Sequence, residues 1–180
     1  PLPGGRIVVA GGDGDDEIKL SGSVATPAWL YGEGGNDVLN NGAGGGVLIG
    51  GDGNDVLQGG GGRDVMVGGQ GADSLIGNNN DDILIAGYTT QDNRTAAGHD
   101  AFWAAVLAEW NSDNTFANRV KNLRDGSGGN AHNGEVRLLP QVRDDFFADQ
   151  IDFLNGAAGE DWLIFLTGED KVVGKTEASN

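Results

Sequence analysis

Aspartate returns every nine residues through much of the first half of this chain, each time behind a run rich in glycine. From Gly32 six units follow without a phase slip: GEGGNDVLN, NGAGGGVLI, GGDGNDVLQ, GGGGRDVMV, GGQGADSLI and GNNNDDILI. An earlier copy, GGDGDDEIK, runs from Gly11 to Lys19, and twelve residues containing Pro27 separate it from Gly32, a half-turn enlarged by three. The form is Gly-Gly-x-Gly-x-Asp-x-U-x, with U apolar. The chemistry open to such a unit is the binding of a hard cation. Asp at position six offers carboxylate oxygen, and Ca²⁺ takes about six to eight oxygens from carboxylates and carbonyls. Glycines at positions one, two and four permit positive φ and close backbone approach in a tight turn. A flexible linker would not hold an apolar residue at every ninth place.

The elements that must position these carboxylates follow from the rest of the unit. Positions seven to nine read as a three-residue strand whose middle side chain turns inward. Those middle residues are Ile18, Leu39, Leu48, Leu57, Met66, Leu75 and Leu84. Two units then close one turn of a flattened solenoid, an all-β parallel β-roll with a sheet on each side. The period lapses over 87–146 and returns in Gly156–Ile164, GAAGEDWLI. Nine residues back stand Asp152 and Leu154; nine forward stand Gly168, Asp170 and Val172. With alternate units stacked, one ladder is Asp37, Asp55, Asp73, Asp152 and Asp170, with Asp16 below it. The other is Asp64, Asp82 and Asp161, with Gly46 where an Asp is expected. Neighbouring pairs make four sites on the first ladder and two on the second, about six ions. The enlarged half-turn leaves Asp16–Asp37 outside that count. The expected organisation is a roll over 1–86, a mainly helical insertion over 87–146 packing on or capping it, degenerate half-turns over 147–173, and a polar tail over 174–180.

On these tandem units the chain resembles the RTX, or haemolysin-type, calcium-binding repeat family. The resemblance implies that each Ca²⁺ lies between turns two units apart, held by Asp carboxylates and by carbonyls of the glycine loops. In this chain those loops supply Gly32 and Gly34; Gly50, Gly51, Asp52 and Gly53; Gly59, Gly60 and Gly62; Gly68, Gly69 and Gly71; and Gly77. It further implies a secreted bacterial protein, exported unfolded by a type I system and folding outside in millimolar Ca²⁺. An upstream domain of a longer chain is expected with it. The stretch ILIAGYTTQD, with LAEWNS and RVKNL after it, is similar to segments that follow RTX repeats in some large bacterial secreted or surface proteins. That second likeness carries no activity. A different class, a self-assembling subunit of an extracellular matrix, surface layer or filament, is the alternative, because a solenoid has open ends.

Positions seven and nine face outward. On one sheet they are Val47/Ile49, Val65/Val67, Ile83/Ile85 and Trp162/Ile164; on the other, Val38/Asn40, Val56/Gln58, Ser74/Ile76 and Phe153/Asn155. The first sheet is apolar on both faces and requires a cover, from the interrupting segment or another chain. In that segment Phe102, Val106 and Trp110 share a helical face over Ala101–Trp110, with Trp103 and Leu107 beside it. A second helix carries Phe116, Val120 and Leu123, with Asn111 or Ser112 as its cap and Asp125-Gly126 as its stop. Glu135–Leu139 alternates like a short strand before Pro140.

The formal net charge is −16 and 34 residues are glycine, 24 of them within 1–86. Such acidity argues against nucleic acid and anionic membrane as partners, both of which need clustered Lys and Arg. Six Ca²⁺ would cancel twelve of the sixteen excess charges. Cysteine is absent, which excludes disulfides and thiolate metal sites. No apolar run approaches the roughly 18 residues of a membrane span. No signal peptide is visible in the first ten residues, and the chain begins in mid-pattern, as a processed part of a longer protein would. Neither His-Glu-x-x-His nor Gly-x-Ser-x-Gly occurs. His99-Asp100 are neighbours that point apart on a helix, so His99 reads as a surface residue at a helix start. Asp144-Asp145 reads as a solvated or calcium-binding run, Asn78-Asn79-Asn80 as a degenerate turn, and Trp103 and Trp110 as core rather than a sugar platform. No catalytic role is expected.

Overall fold

The computed structural model describes residues 5–138, 142–143, 151–165, 170–173 and 176–179. The Asp144-Asp145 pair, Pro140 and Gly168 lie outside them. The chain divides into two compact units: Pro1–Tyr88 with Arg143–Asn180, and Thr89–Val142. The first is a parallel β-roll. Its strands are β1 (Ile7–Asp13), β2 (Glu17–Lys19), β3 (Ala28–Gly34), β4 (Val38–Asn40), β5 (Gly46–Asp52), β6 (Val56–Gly60), β7 (Val65–Gln70), β8 (Ser74–Asn78) and β9 (Ile83–Ile85). After β10 (Tyr88–Thr89) and β11 (Val142–Arg143), which pair with each other, come β12 (Phe153–Asn155), β13 (Asp161–Ile164), β14 (Lys171–Val173) and β15 (Thr176–Ser179). Among the described residues one sheet runs β1-β3-β5-β7-β9-β13-β15 and the other β14-β12-β8-β6-β4-β2.

Strand register follows the nine-residue spacing. In one sheet Val9, Leu30, Leu48, Met66, Leu84 and Leu163 are successive partners. In the other the row is Ile18, Leu39, Leu57, Leu75, Leu154 and Val172. The two rows face inward, and the leucines and Met66 are fully buried. Each fully buried side chain of this kind contributes roughly 1.5–3 kcal/mol. The degenerate copies stack directly on the regular ones: Phe153 pairs with Ser74 and Trp162 with Ile83. The roll also reaches further than the motif. Val8-Val9-Ala10 supply a half-turn before Gly11, Trp29-Leu30-Tyr31 close the enlarged half-turn, and β15 occupies part of the stretch expected as a polar tail. Alternation alone hides these strands, because none carries the glycine–aspartate signature.

The two outer faces differ as their residues require. Val47, Ile49, Val65, Val67, Ile83, Ile85, Trp162 and Ile164 are all buried. Their counterparts on the other sheet, such as Val38, Asn40, Val56 and Gln58, are half-buried.

In the second unit, α1 (His99–Trp110) and α2 (Phe116–Arg124) are joined by a short turn. Neither Asn111 nor Ser112 caps α2; Thr115 does, accepting from the Asn118 N–H, because the helix begins only at Phe116. Trp103, Val106, Trp110, Val120 and Leu123 are buried, and Trp110 meets Phe116 edge-on at 5.8 Å. His99 is buried rather than a surface residue, its Nδ1 being 2.6 Å from the Gln91 carbonyl oxygen, which also accepts from Trp103 Nε1. Residues 135–138 form a turn and loop instead of a strand: Leu138 N–H goes to Leu123 O, and Asn133 binds the Val136 carbonyl. Among the described residues no helix is long and apolar enough to cross a membrane.

Candidate metal centres

Each repeat carboxylate has two tasks. Its Oδ1 accepts the main-chain N–H of the ladder residue one full turn earlier. On the first ladder these bonds run Asp16 to Asp37 at 2.8 Å, Asp37 to Asp55 at 2.7 Å, Asp55 to Asp73 at 2.8 Å, Asp73 to Asp152 at 2.7 Å and Asp152 to Asp170 at 3.1 Å. On the second they run Asp64 to Asp82 at 2.8 Å and Asp82 to Asp161 at 2.9 Å. The other oxygen is the chemically telling one. Oδ2 of Asp37, Asp55, Asp64, Asp82 and Asp161 is buried without a hydrogen-bond partner. Burying a carboxylate oxygen that way is costly unless a cation or proton compensates it.

Glycine at position one follows from the same geometry. A methyl group at Gly32 would overlap Asp37 Oδ2 and the Gly50 carbonyl oxygen; at Gly50, Asp55 Oδ2 and Gly68 O; at Gly77, Asp82 Oδ2 and Gly156 O. At Gly59 it would stand 2.7 Å from Gly77 O and 2.9 Å from Asp64 Oδ2. A carboxylate oxygen and a main-chain oxygen from the next turn thus crowd one glycine. Positions two and four are left-handed: φ is +118° and +128° at Gly51 and Gly53, and +117° and +138° at Gly69 and Gly71. Glu33, Asn78, Asn80 and Ala157 take the same conformation at equivalent places, at a cost of about 1–2 kcal/mol for an ordinary side chain.

The donor set is therefore oxygen only. Among the described residues no three His, Cys, Asp or Glu side chains converge, so a cation held by these carboxylates would draw its remaining ligands from main-chain carbonyls or water. That mixture suits Ca²⁺, whose sites combine carboxylate and carbonyl oxygens in flexible geometry. Burial pushes the Asp55 and Asp161 carboxyls up to about 6. It pushes Asp82 up to about 10, helped by the charges of Asp64, Asp161 and Asp81. Asp37 and Asp64 are also raised, chiefly by burial. Without a cation, burial thus disfavours the charged form of these groups.

The ladders bring together Asp16, Asp37, Asp55, Asp73, Asp152 and Asp170, and Asp64, Asp82 and Asp161. Asp52 is exposed at position three and accepts from Gln70 Nε2. In the first unit of the run Gly35, not Gly34, holds the left-handed fourth position. Gly60 is left-handed, whereas Gly62 packs against the Gly45 main chain. Gly11 and Gly156, which carry position one against Asp16 and Asp161, belong with the named glycines.

At Gly46 the missing carboxylate has a substitute that the spacing does not reveal. Asn41 is buried, and its Nδ2 donates to Asp64 Oδ1 and Gly44 O, both at 2.8 Å, while its Oδ1 accepts from Gly42 N–H. An amide thereby closes this turn internally. Asn41→Ala is expected to destabilise the calcium-saturated protein by roughly 1–3 kcal/mol, since it strands buried polar groups. The number of ions bound should stay unchanged. Urea melts and equilibrium dialysis of both proteins check the two halves of that statement.

Comparison with known proteins returns one family. A family model described as the RTX calcium-binding nonapeptide repeat matches four times, over residues 29–48, 40–75, 58–87 and 149–172. No curated protein and no solved structure matches the chain.

Proposed function

For a chain that belongs to the RTX calcium-binding nonapeptide-repeat family, we propose a folding module whose β-roll assembles when extracellular Ca²⁺ fills its turns. The observation that carries this reading is the row of buried Oδ2 atoms without a hydrogen-bond partner, whose charge is costly until a cation compensates it. Binding is then folding free energy. The ladders provide for about six ions, and the 2.8 Å link between Asp16 and Asp37 adds a candidate seventh. In a calcium-poor cytosol the chain stays unfolded and competent for type I export; outside, it folds and stabilises the secreted protein it belongs to. Catalysis, on this reading, lies in other parts of that protein.

The test is a far-UV circular dichroism titration of metal-free protein with Ca²⁺ and, separately, Mg²⁺. A cooperative coil-to-β transition with Ca²⁺ alone is expected, because Mg²⁺ demands a tight octahedron and keeps its waters. A roll already formed without metal, and indifferent to it, would overturn the proposal.

A second reading, head-to-tail assembly, is favoured by the edge strands β1 and β15, whose outer sides carry no described neighbour in their sheet. The apolar outer sheet face does not serve it, since its residues are buried. Light scattering with and without Ca²⁺ separates the readings: a monomer in both conditions removes this one.

A further inference from the structure

The inserted unit interrupts a turn, and not the space between turns. Position one of the turn after Gly68 is Ala86. A methyl at Gly68 would overlap Asp73 Oδ2 and meet Ala86 O, as one at Gly50 meets Asp55 Oδ2 and Gly68 O. Position two is Gly87, whose carbonyl accepts the Gly69 N–H at 3.2 Å. Position six is Asp152, whose Oδ1 accepts the Asp73 N–H. Position seven is Phe153, whose N–H donates to Asp73 O at 2.8 Å, the same bond that Ser74 makes to Asp55 and Val56 to Asp37. Both ends of this turn thus make the main-chain bonds of its neighbours, although position one carries the Ala86 methyl where the preceding turns of this ladder have glycine. Between them, residues 88–151 replace the usual three.

We infer that this split turn is a composite calcium site that couples the folding of the inserted unit to calcium. The inference rests on the calcium-binding reading above. Closing a flexible loop of 64 residues instead of three lowers the chance of meeting by about a hundredfold, on the three-halves-power scaling of loop closure. A folded insertion removes most of that cost, because β10 and β11 pair and leave only the eight residues 144–151 to close the turn. The split turn therefore binds tightly only when Thr89–Val142 is folded. By linkage, an ion there stabilises that unit by the same factor. Sites formed wholly by residues before the insertion, such as those between Asp37 and Asp55 and between Asp64 and Asp82, carry no such dependence.

Hydrogen exchange measured across a calcium titration tests this in the full chain. In the wild type, β4–β9 should gain protection first; residues 89–138 and 153–173 should follow together at higher Ca²⁺. Glu109→Ala leaves every turn residue intact but strips the acceptor from Asn114, Asn122 and the His132 N–H, so it undermines the inserted unit. It should move only the second step, by tenfold or more. Asp152→Asn should abolish the second step and spare the first. A single step for all segments, or a second step that neither variant moves, would overturn the inference while leaving calcium-driven folding in place. No response of the wild type to Ca²⁺ would instead overturn the calcium reading itself.

Discussion

Gly50→Ala is expected to cost the roll at least one bound ion and roughly 3 kcal/mol or more of calcium-saturated stability, the upper end of overpacking effects. The new methyl would overlap Asp55 Oδ2 on one side and the Gly68 carbonyl oxygen on the other. Neither is the free end of a flexible side chain. Asp55 is held through its Oδ1 by the Asp37 N–H, and Gly68 belongs to β7, paired with β5 and β9. Relief must come from the turn itself, which moves two oxygen donors apart. Gly22→Ala is the matched control: its methyl meets nothing within 4 Å, and the change should stay within about 0.5 kcal/mol. Calorimetric titration and urea melts in saturating Ca²⁺ read both variants. Equal behaviour of the two would mean that position one is glycine for some reason other than crowding.

The second large effect concerns pH, and its sign reverses on metal loading. In the metal-free roll the Asp55 and Asp161 carboxyls are pushed up to about 6 and Asp82 up to about 10, against about 3.9 for an unfolded Asp. Between those limits the folded state holds more protons than the unfolded one, so stability falls as pH rises. Below about pH 4 both states are protonated and the contribution is fully present. Raising the pH through 6 loses the Asp55 and Asp161 parts, and the Asp82 part continues to decline toward 10. Metal-free protein is therefore expected to keep more β signal at pH 5 than at pH 8. Calcium must displace those protons, so its apparent affinity should rise over the same interval, with proton release on binding. Circular dichroism of metal-free protein against pH, paired with calcium titrations at pH 5.5 and 7.5, checks both directions. A metal-free roll that gains β structure as pH rises would contradict the assignment of burial as the dominant influence on these carboxyls.

Much of the roll was legible in the residues because a repeat solenoid is built from nearest-neighbour contacts of constant separation. An apolar residue at every eighth position of a nine-residue unit sets the inward rows, and Leu39, Leu57 and Leu75 stack as that spacing requires. The same arithmetic places Asp37 against Asp55 and Asp64 against Asp82, since stacked units differ by 18 residues. What spacing does not encode, tertiary structure decided. Asn41 closes the Gly46 turn because its side chain can reach Asp64, a contact between positions the motif does not relate. Thr115 rather than Ser112 caps α2, and His99 turns inward to the Gln91 carbonyl, because non-repetitive segments take their partners from packing. The split turn was half legible. The returning register already sets Asp152 after Asp73 on one ladder, and the hydrogen bond between them across 79 residues agrees. Only the folded chain shows Ala86 and Gly87 completing that turn from the other side of the break. Local period determined which residues face the core, which carry the carboxylates and where the repeat lapses; long-range chain closure determined what completes the broken turn.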